Sequence, residues 1–363
     1  MGDQYYHVEK LIKLYPDARY YMIFGERSNG KTFSVLEYGL KQYVKYGHQL
    51  AVVRRFREDF VGGRGQSLFN TLINAGVIKR LTDGEWSDVY YYASRWYLCK
   101  YENEKRIIDK TPFAIGFSIS YMEHDKGSSY PHVKNIFFDE FMTRSGYLKD
   151  EYILFKNVVA TLLREYDDLK IFMCGNTVNK YCPYFREMGL RHVTKMKPGD
   201  IDVYQYGEDG VLKVAVEYTM PAAKGKKSNI YFAFDNPRLK MITSGEWEID
   251  IYPHLPMKYK PKDIVFEFFV EFEEEKLHSE IVSLNGNNFI FIYPKRDDFK
   301  EPDKDIIYST NYNCGPNWRR NILKPTDKID KKIYELFKKD KVFYADNETG
   351  EVMRNYIEWC SKN

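Results

Sequence analysis

The sequence predicts an α/β protein: a parallel sheet with helices on both faces around a phosphate-binding loop, followed by a linker and a smaller strand-rich α+β domain. Three observations carry this expectation. The eight residues Gly25-Glu26-Arg27-Ser28-Asn29-Gly30-Lys31-Thr32 satisfy the pattern GxxxxGK[ST] without a mismatch. An apolar run from Tyr20 to Phe24 precedes them and a helix-like stretch from Phe33 to Lys45 follows, the strand and helix that the motif requires. From Val203 onward the pattern changes to short apolar runs separated by glycine and proline.

Each element then has its own reason. In the loop, Gly25 and Gly30 let backbone N–H groups wrap the α/β-phosphates, Lys31 reaches the β/γ-phosphates, and the Thr32 hydroxyl ligates Mg²⁺ at a helix N-terminus. Gln49 to Val53 is a short apolar strand ending in Arg54 and Arg55, and its spacing from the loop implies a right-handed parallel crossover. Trp86 to Ile119 alternates aromatic and polar residues and reads as antiparallel strands inserted beside the sheet. The run Lys134 to Glu140 sets two adjacent carboxylates at the end of an aromatic strand. With the phosphate loop, Asp139 can hold the Mg²⁺ shell while Glu140 activates a water against the γ-phosphate, which favours an ATPase that supplies its own base. A helix from about Asp150 to Glu165 presents Phe155, Val159, Leu162 and Tyr166 on one face. The strand Lys170 to Cys174 follows and ends in Gly175-Asn176-Thr177.

The second half is less explicit. Val214 to Tyr218 and Ile230 to Phe234 read as strands around a basic stretch, Ala223 to Ser228, and Pro253, Pro256 and Pro261 mark a linker. Ile264 to Phe272 and Phe289 to Tyr293 flank the turn Asn285-Gly286, and two helices lie around Tyr334 and Tyr356. The expected domains are 1–205, 206–258 and 259–363.

Composition excludes several classes. The chain has 363 residues, 44% hydrophobic and 29% charged, enough for two domains and too apolar for a wholly disordered polypeptide. Lys and Arg number 55 against 52 Asp and Glu, a net charge of +3, so nucleic-acid binding rests on local clusters. No apolar stretch reaches the ~18 residues of a membrane helix and the first residues lack a signal-peptide pattern, so a cytoplasmic protein with no membrane partner is expected. Five cysteines without CxxC spacing and seven scattered histidines argue against a zinc site.

The set GERSNGKT, VVRRF, SSYPHV, KNIFFDEF and LLREYDDLKIFMCGNT resembles the DNA-packaging ATPases of small podoviruses with protein-primed genomes. The likeness covers residues 20 to 200 well. It implies an ASCE, RecA-like P-loop domain related to large terminases, a linker domain, and a C-terminal domain resembling a degenerate RNase H-like nuclease. It further implies ATP and Mg²⁺ as cofactors and a homopentameric ring on the portal vertex of a prohead. Such a ring threads double-stranded DNA inward and in some members docks through a packaging RNA.

The resemblance also assigns roles. Asn176 falls on a γ-phosphate sensor position, with a turn-former as its alternative. Of Arg54 and Arg55, one is expected to respond to nucleotide, and a surface role is as good for the other. Arg57 and Arg64 on one loop, and Arg144 and Lys149 on another, would face a pore and contact phosphates, the alternative being solvated charge. Arg164 is expected as an arginine finger on a neighbour's nucleotide, with Lys126 a weaker candidate; an ordinary helix arginine paired with Glu165 or Asp168 is the plain reading. A cluster from Arg319 to Lys341 suits docking on RNA or an acidic portal surface, or a solvated helix face. A nuclease would need carboxylates from separated strands, whereas Glu267, Glu271, Glu273, Glu274 and Glu275 run along one strand and its end. A non-hydrolysing nucleotide-dependent scaffold would have no use for Glu140.

Overall fold

The computed structural model describes residues 5–121, 129–144, 146–163, 168–208, 210–221, 247, 250, 252–299, 304–311, 313 and 315–363. The chain divides into two units, Met1–Glu248 and Ile249–Asn363.

In the first unit, strand β1 (Tyr20–Gly25) is buried at all six positions because both faces of its sheet are covered. Tyr21 and Ile23 enter one core with Val8 and Leu11 of α1 (Val8–Leu14) and Val35, Leu36 and Leu40 of α2 (Lys31–Tyr46). Tyr20, Met22 and Phe24 enter the other with Phe155, Val159 and Leu162 of α6 (Glu151–Leu163). That is the apolar face read from the helix, save Tyr166, which lies outside the described residues. Six strands run parallel: β6 (Ala114–Ser118), β2 (Gln49–Arg54), β7 (Val133–Asp139), β8 (Lys170–Asn176), β1 and β10 (Leu212–Tyr218), in that spatial order. One strand, β8, stands between the phosphate-loop strand and the carboxylate strand, the order of an ASCE sheet. Antiparallel strands close the two ends: β3 (Asp88–Tyr92), β4 (Arg95–Glu102) and β5 (Lys105–Ile108) beyond β6, and β9 (Ile201–Tyr206) beyond β10.

Two expectations change. The antiparallel reading of Trp86 to Ile119 holds for β3 to β5, but β6 pairs parallel with β2, Leu50 against Ala114, because Ala114 and Phe117 carry apolar side chains to both faces. The boundary expected between 205 and 206 cuts β9 and leaves β10 in a linker. Instead Val214, Ala215 and Val216, all fully buried, occupy the free edge of β1 with Tyr20 opposite Val214. The basic stretch 223–228 and the expected strand 230–234 lie outside the described residues. Pro253 belongs to the second unit, where its carbonyl accepts from Tyr344 N at 2.8 Å.

The second unit is an antiparallel meander, β11 (Ile264–Phe272), β12 (Glu275–Leu284) and β13 (Asn287–Pro294). Asn285 and Gly286, both at positive φ, form the two-residue turn between β12 and β13. Strands β14 (Ile307–Ser309) and β15 (Trp318–Arg319) add in parallel on the β11 side, and β16 (Val342–Tyr344) adds beside β13. A meander extended by parallel strands from its first strand is an RNase H-like arrangement. Helices α8 (Lys328–Lys338) and α9 (Asn347–Lys362) cover one face, while α7 (Pro183–Glu187) is the last α-helix of the first unit among the described residues. Phe272 packs on Tyr356, and Tyr308 donates to Asp330 at 2.6 Å.

Among the described residues no helix is long and apolar enough to cross a membrane. Cys99, Cys174, Cys182 and Cys360 are buried thiols.

Candidate nucleotide site

The phosphate loop is shaped by three backbone positions. Gly25 ends β1 at φ 149°, and a Cβ there would stand 2.3 Å from Thr219 Oγ1, so no larger residue fits. Ser28 (φ 61°) and Gly30 (φ 96°) then turn the chain into α2, whose N-terminal N–H groups are an anion-binding end. Buried Asn29 pins the loop from within: its Nδ2 donates to Thr219 Oγ1 at 2.6 Å, and Thr219 Oγ1 donates to Phe24 O at 3.1 Å. From the other side Tyr6 N donates to Asn29 O at 3.0 Å, and Tyr6 OH donates to Glu217 Oε2 at 2.7 Å. Arg27 and Ser28 are exposed, whereas Glu26 is buried.

Lys31 Nζ lies inside this loop, donating to Glu26 O at 2.6 Å and Asn29 Oδ1 at 3.1 Å. Asn176 Oδ1 is 3.4 Å from the same ammonium, because β8 ends level with β1 and pairs Asn176 with Gly25. Burial lowers the Lys31 pKa to about 8, against the opposing charges of Asp139 and Glu26.

Across the sheet edge, Thr32 Oγ1 donates to Asp139 Oδ1 at 3.1 Å. A hydroxyl and a carboxylate oxygen meeting beside a phosphate loop are the hard donors Mg²⁺ takes, with its remaining positions left to water and phosphate. Burial holds the Asp139 carboxyl above the usual aspartate range, while the Arg54 guanidinium pulls the other way. Arg54 joins the two acids: Nη2 meets Asp139 Oδ2 at 2.6 Å and Nη1 meets Glu140 Oε2 at 3.1 Å. Glu140 follows β7 at φ 58° with its side chain 66% exposed, so its carboxylate is open to solvent.

Arg55 is not the surface residue allowed for one of the pair. It is 7% exposed and forms a two-pronged ion pair with Glu151, Nε to Oε2 at 2.8 Å and Nη2 to Oε1 at 2.9 Å. Burial works against its charge, but Glu151 outweighs it and holds the guanidinium above its ordinary pKa.

A cavity of about 640 Å³ opens beside Gly30, between the N-terminal segment (Tyr5, Tyr6, His7) and Phe33, Ser34 and Glu37 of α2. Val8 N donates to Ser34 Oγ at 2.7 Å and ties that segment to the helix. The loop expected after β2 is instead a 3₁₀ turn (Arg57–Phe60), where exposed Arg57 lies over the Tyr121 ring at 4.4 Å, followed by the short helix α3 (Gly63–Ser67), which carries exposed Arg64. Of the loop after β7, Lys149 is exposed and Arg144 half-buried, so Arg144 offers less to a pore than expected. Both loops leave adjacent parallel strands at the edge that carries the phosphate loop. Arg164 and Lys126 lie outside the described residues.

A family model described as the podovirus DNA encapsidation protein (Gp16) matches residues 3–197, more than half of the chain. The chain belongs to this family. Among curated members, the DNA packaging protein of Bacillus phage phi29 is 24% identical over 184 residues, 50% of this chain and 49% of that protein. The corresponding protein of Bacillus phage B103 is 24% identical over 173 residues, 46% of this chain and 47% of its own length. The match thus spans about half the length of these relatives. Two solved structures share the fold over both units: the bacteriophage Phi-29 viral genome packaging motor assembly (TM-score 0.56, 17% identity, 99% of each chain) and the Phi-28 gp11 DNA packaging motor (TM-score 0.53, 17% identity, 99% of this chain and 98% of that one).

Sequence reasoning missed the residues that brace the site. Thr219, Glu217, Tyr6, Glu151 and Tyr184 belong to no spacing motif. It named Glu267 only as part of a run along one strand and missed its meeting with His278 and Glu280 of the next strand, the potential ligand atoms of the three lying within 4.8 Å of one another on one face of the second sheet. There Tyr293 OH donates to Glu280 Oε1 at 2.8 Å and lies 2.9 Å from His278 Nδ1. Only the strand register brings these side chains together.

Proposed function

We propose that this protein is the ATP-hydrolysing subunit of a viral ring motor that drives double-stranded DNA into a preformed prohead at the portal vertex. The convergence of Lys31, Thr32, Asp139 and Glu140 on one edge of an ASCE sheet carries the reading. Lys31 leaves the loop carbonyls for the β/γ-phosphates, and the base and ribose extend past Phe33 into the cavity under Tyr5 and Tyr6. Thr32 and Asp139 would hold Mg²⁺, which would supply charge neutralisation at the phosphates. Glu140 orients a water in line with the γ-phosphate and takes its proton, and Asn176 contacts the γ-phosphate from β8. Arg54 trades its contacts with the two acids as nucleotide and metal arrive.

Arg57, Arg64 and Lys149 grip phosphates, which suits a motor that must travel over any sequence. Arg164, with Lys126 as the second candidate, completes a neighbour's site in a ring expected to hold five chains. The exposed Lys328, Lys331, Lys332 and Lys338 of α8, with Lys339 just past its end, form a docking face for the portal or a packaging RNA. In the second unit Glu271 faces the Ser309 hydroxyl at 2.8 Å and Asn311 rather than further carboxylates, and where two carboxylates do meet, Glu267 is bonded to His278 and Glu280 to the hydroxyls of Tyr259 and Tyr293, which favours translocation without cutting.

Phosphate release by the purified protein, with and without double-stranded DNA and matching proheads, tests the reading. Stimulation by DNA and proheads together is expected. Rates indifferent to both would refute it.

A further inference from the structure

We propose that Arg55 is a positioning residue for Glu140: it grips the backbone that presents the general base rather than the substrate. The inference rests on the base role given to Glu140 above.

Glu140 stands at φ 58°, a left-handed conformation that a non-glycine residue holds only when its surroundings impose it. Arg55 supplies two of the contacts that impose it. Its Nη1 donates to Glu140 O at 3.2 Å and its Nη2 to Phe141 O at 3.0 Å, so one guanidinium holds two consecutive carbonyls, that of the Glu140–Phe141 peptide and the one after it. A further contact, Phe141 N to Cys174 O at 3.2 Å, fixes the same peptide to β8.

The guanidinium cannot drift, because it is itself held. Glu151 takes its other face in the two-pronged pair, and that carboxylate accepts from Tyr184 OH at 2.9 Å and Leu148 N at 2.7 Å. The rings of Tyr147 and Phe138 lie 5.3 and 5.9 Å from the guanidinium carbon. The Glu151 side chain is 1% exposed, so water does not compete. Arg54, one residue earlier, touches the carboxylate side chains of Asp139 and Glu140, while Arg55 touches only main chain near the base. Arg55 therefore affects hydrolysis through the direction of the Glu140 carboxylate and leaves the phosphate cradle unchanged. Misplacement of a catalytic group by about 1 Å costs on the order of 10²-fold in rate.

The test is a double-mutant cycle on the full-length protein, read by phosphate release and by binding of a fluorescent ATP analogue. Arg55→Lys should lower kcat about 10- to 100-fold while analogue affinity stays within about threefold of the parent, since the cradle is intact. In a Glu140→Gln background the same substitution should cost nothing further, because there is no base left to misplace. Tyr184→Phe keeps the ring and removes one hydroxyl from Glu151. Should Arg55→Lys fail to fold, this milder variant takes its place, and it should show the same pattern with a loss of about two- to tenfold. An undiminished kcat, or equal losses with and without Glu140, would overturn the proposal and leave Glu140 as the base. Should Glu140→Gln hydrolyse at the parental rate, the base assignment falls first and this inference with it.

Discussion

Side chains alternate across a strand, so two consecutive arginines at the end of β2 reach opposite sides of it, and the buried one and the half-exposed one do different work. The same residue-scale logic separates binding from chemistry at the site. Lys31→Ala removes the ammonium proposed to meet the β/γ-phosphates and should weaken nucleotide binding. Glu140→Gln leaves the cradle untouched and should retain ATP while hydrolysis slows by about 10²- to 10⁴-fold. Equilibrium binding of a fluorescent ATP analogue beside single-turnover phosphate release distinguishes the two, and equal binding loss in both variants would contradict the division. Lys31, Thr32, Asp139 and Glu140 were legible in the sequence because the chemistry demands fixed residue types at the ends of strands. Thr219 and Tyr6 were not: their bonds to Asn29 and Glu217 close 190 and 211 residues of chain, and no local spacing announces such pairs.

At the scale of elements, β1 with α2 and β7 with its carboxylates were legible because motif and apolar pattern coincide. Val214 to Tyr218 read as a strand but the place of β10 was hidden, since a strand ahead of a basic stretch looks the same in a linker as at a sheet edge; only the register with β1 decides. The loops after β2 and β7 carry a prediction of their own. Replacing exposed Arg57 and Lys149 with Ala should weaken DNA binding equally across sequences and reduce the slope of log K against log salt by about 0.9 for each lost phosphate contact. Fluorescence titrations over a range of salt concentrations would expose an unchanged slope, which would take these loops away from the DNA.

In the second unit, Asp330 of α8 accepts from Tyr308 OH at 2.6 Å and from Thr326 N and Oγ1 at 3.0 and 2.6 Å. Burial alone would raise its pKa, but these hydrogen bonds and the Arg319 charge hold it below the usual aspartate range. Its contribution is therefore full above that range and lost as pH falls through the lowered value. Asp330→Ala, which leaves those donors without an acceptor, should destabilise the unit by about 2 to 3 kcal/mol near neutral pH. Thermal unfolding as a function of pH should show the difference between parent and variant shrinking only at strongly acid pH.

For the whole molecule, the likeness to packaging motors extends over both units, whereas the family model covers only the first 197 residues and omits the two opening ones. The second half was the less readable because its sheet is specified by cross-strand pairs such as Glu267 with Glu280 and not by a motif. A ring of such chains predicts composite sites. Arg164→Ala and Lys31→Ala subunits, each nearly inactive alone, should regain part of the ATPase rate when mixed, because some interfaces then join an intact loop to an intact finger. Mixed rings that contain both chains and stay inactive would remove Arg164 from the neighbour's site.

The central claim, hydrolysis coupled to DNA movement, is tested most directly by nuclease protection of DNA in proheads supplied with this protein and ATP. Full-length double-stranded DNA should become protected with the parent chain and ATP. With Glu140→Gln, which is expected to retain ATP, it should stay exposed. Protection that proceeds equally with Glu140→Gln, or with a non-hydrolysable analogue, would contradict the account.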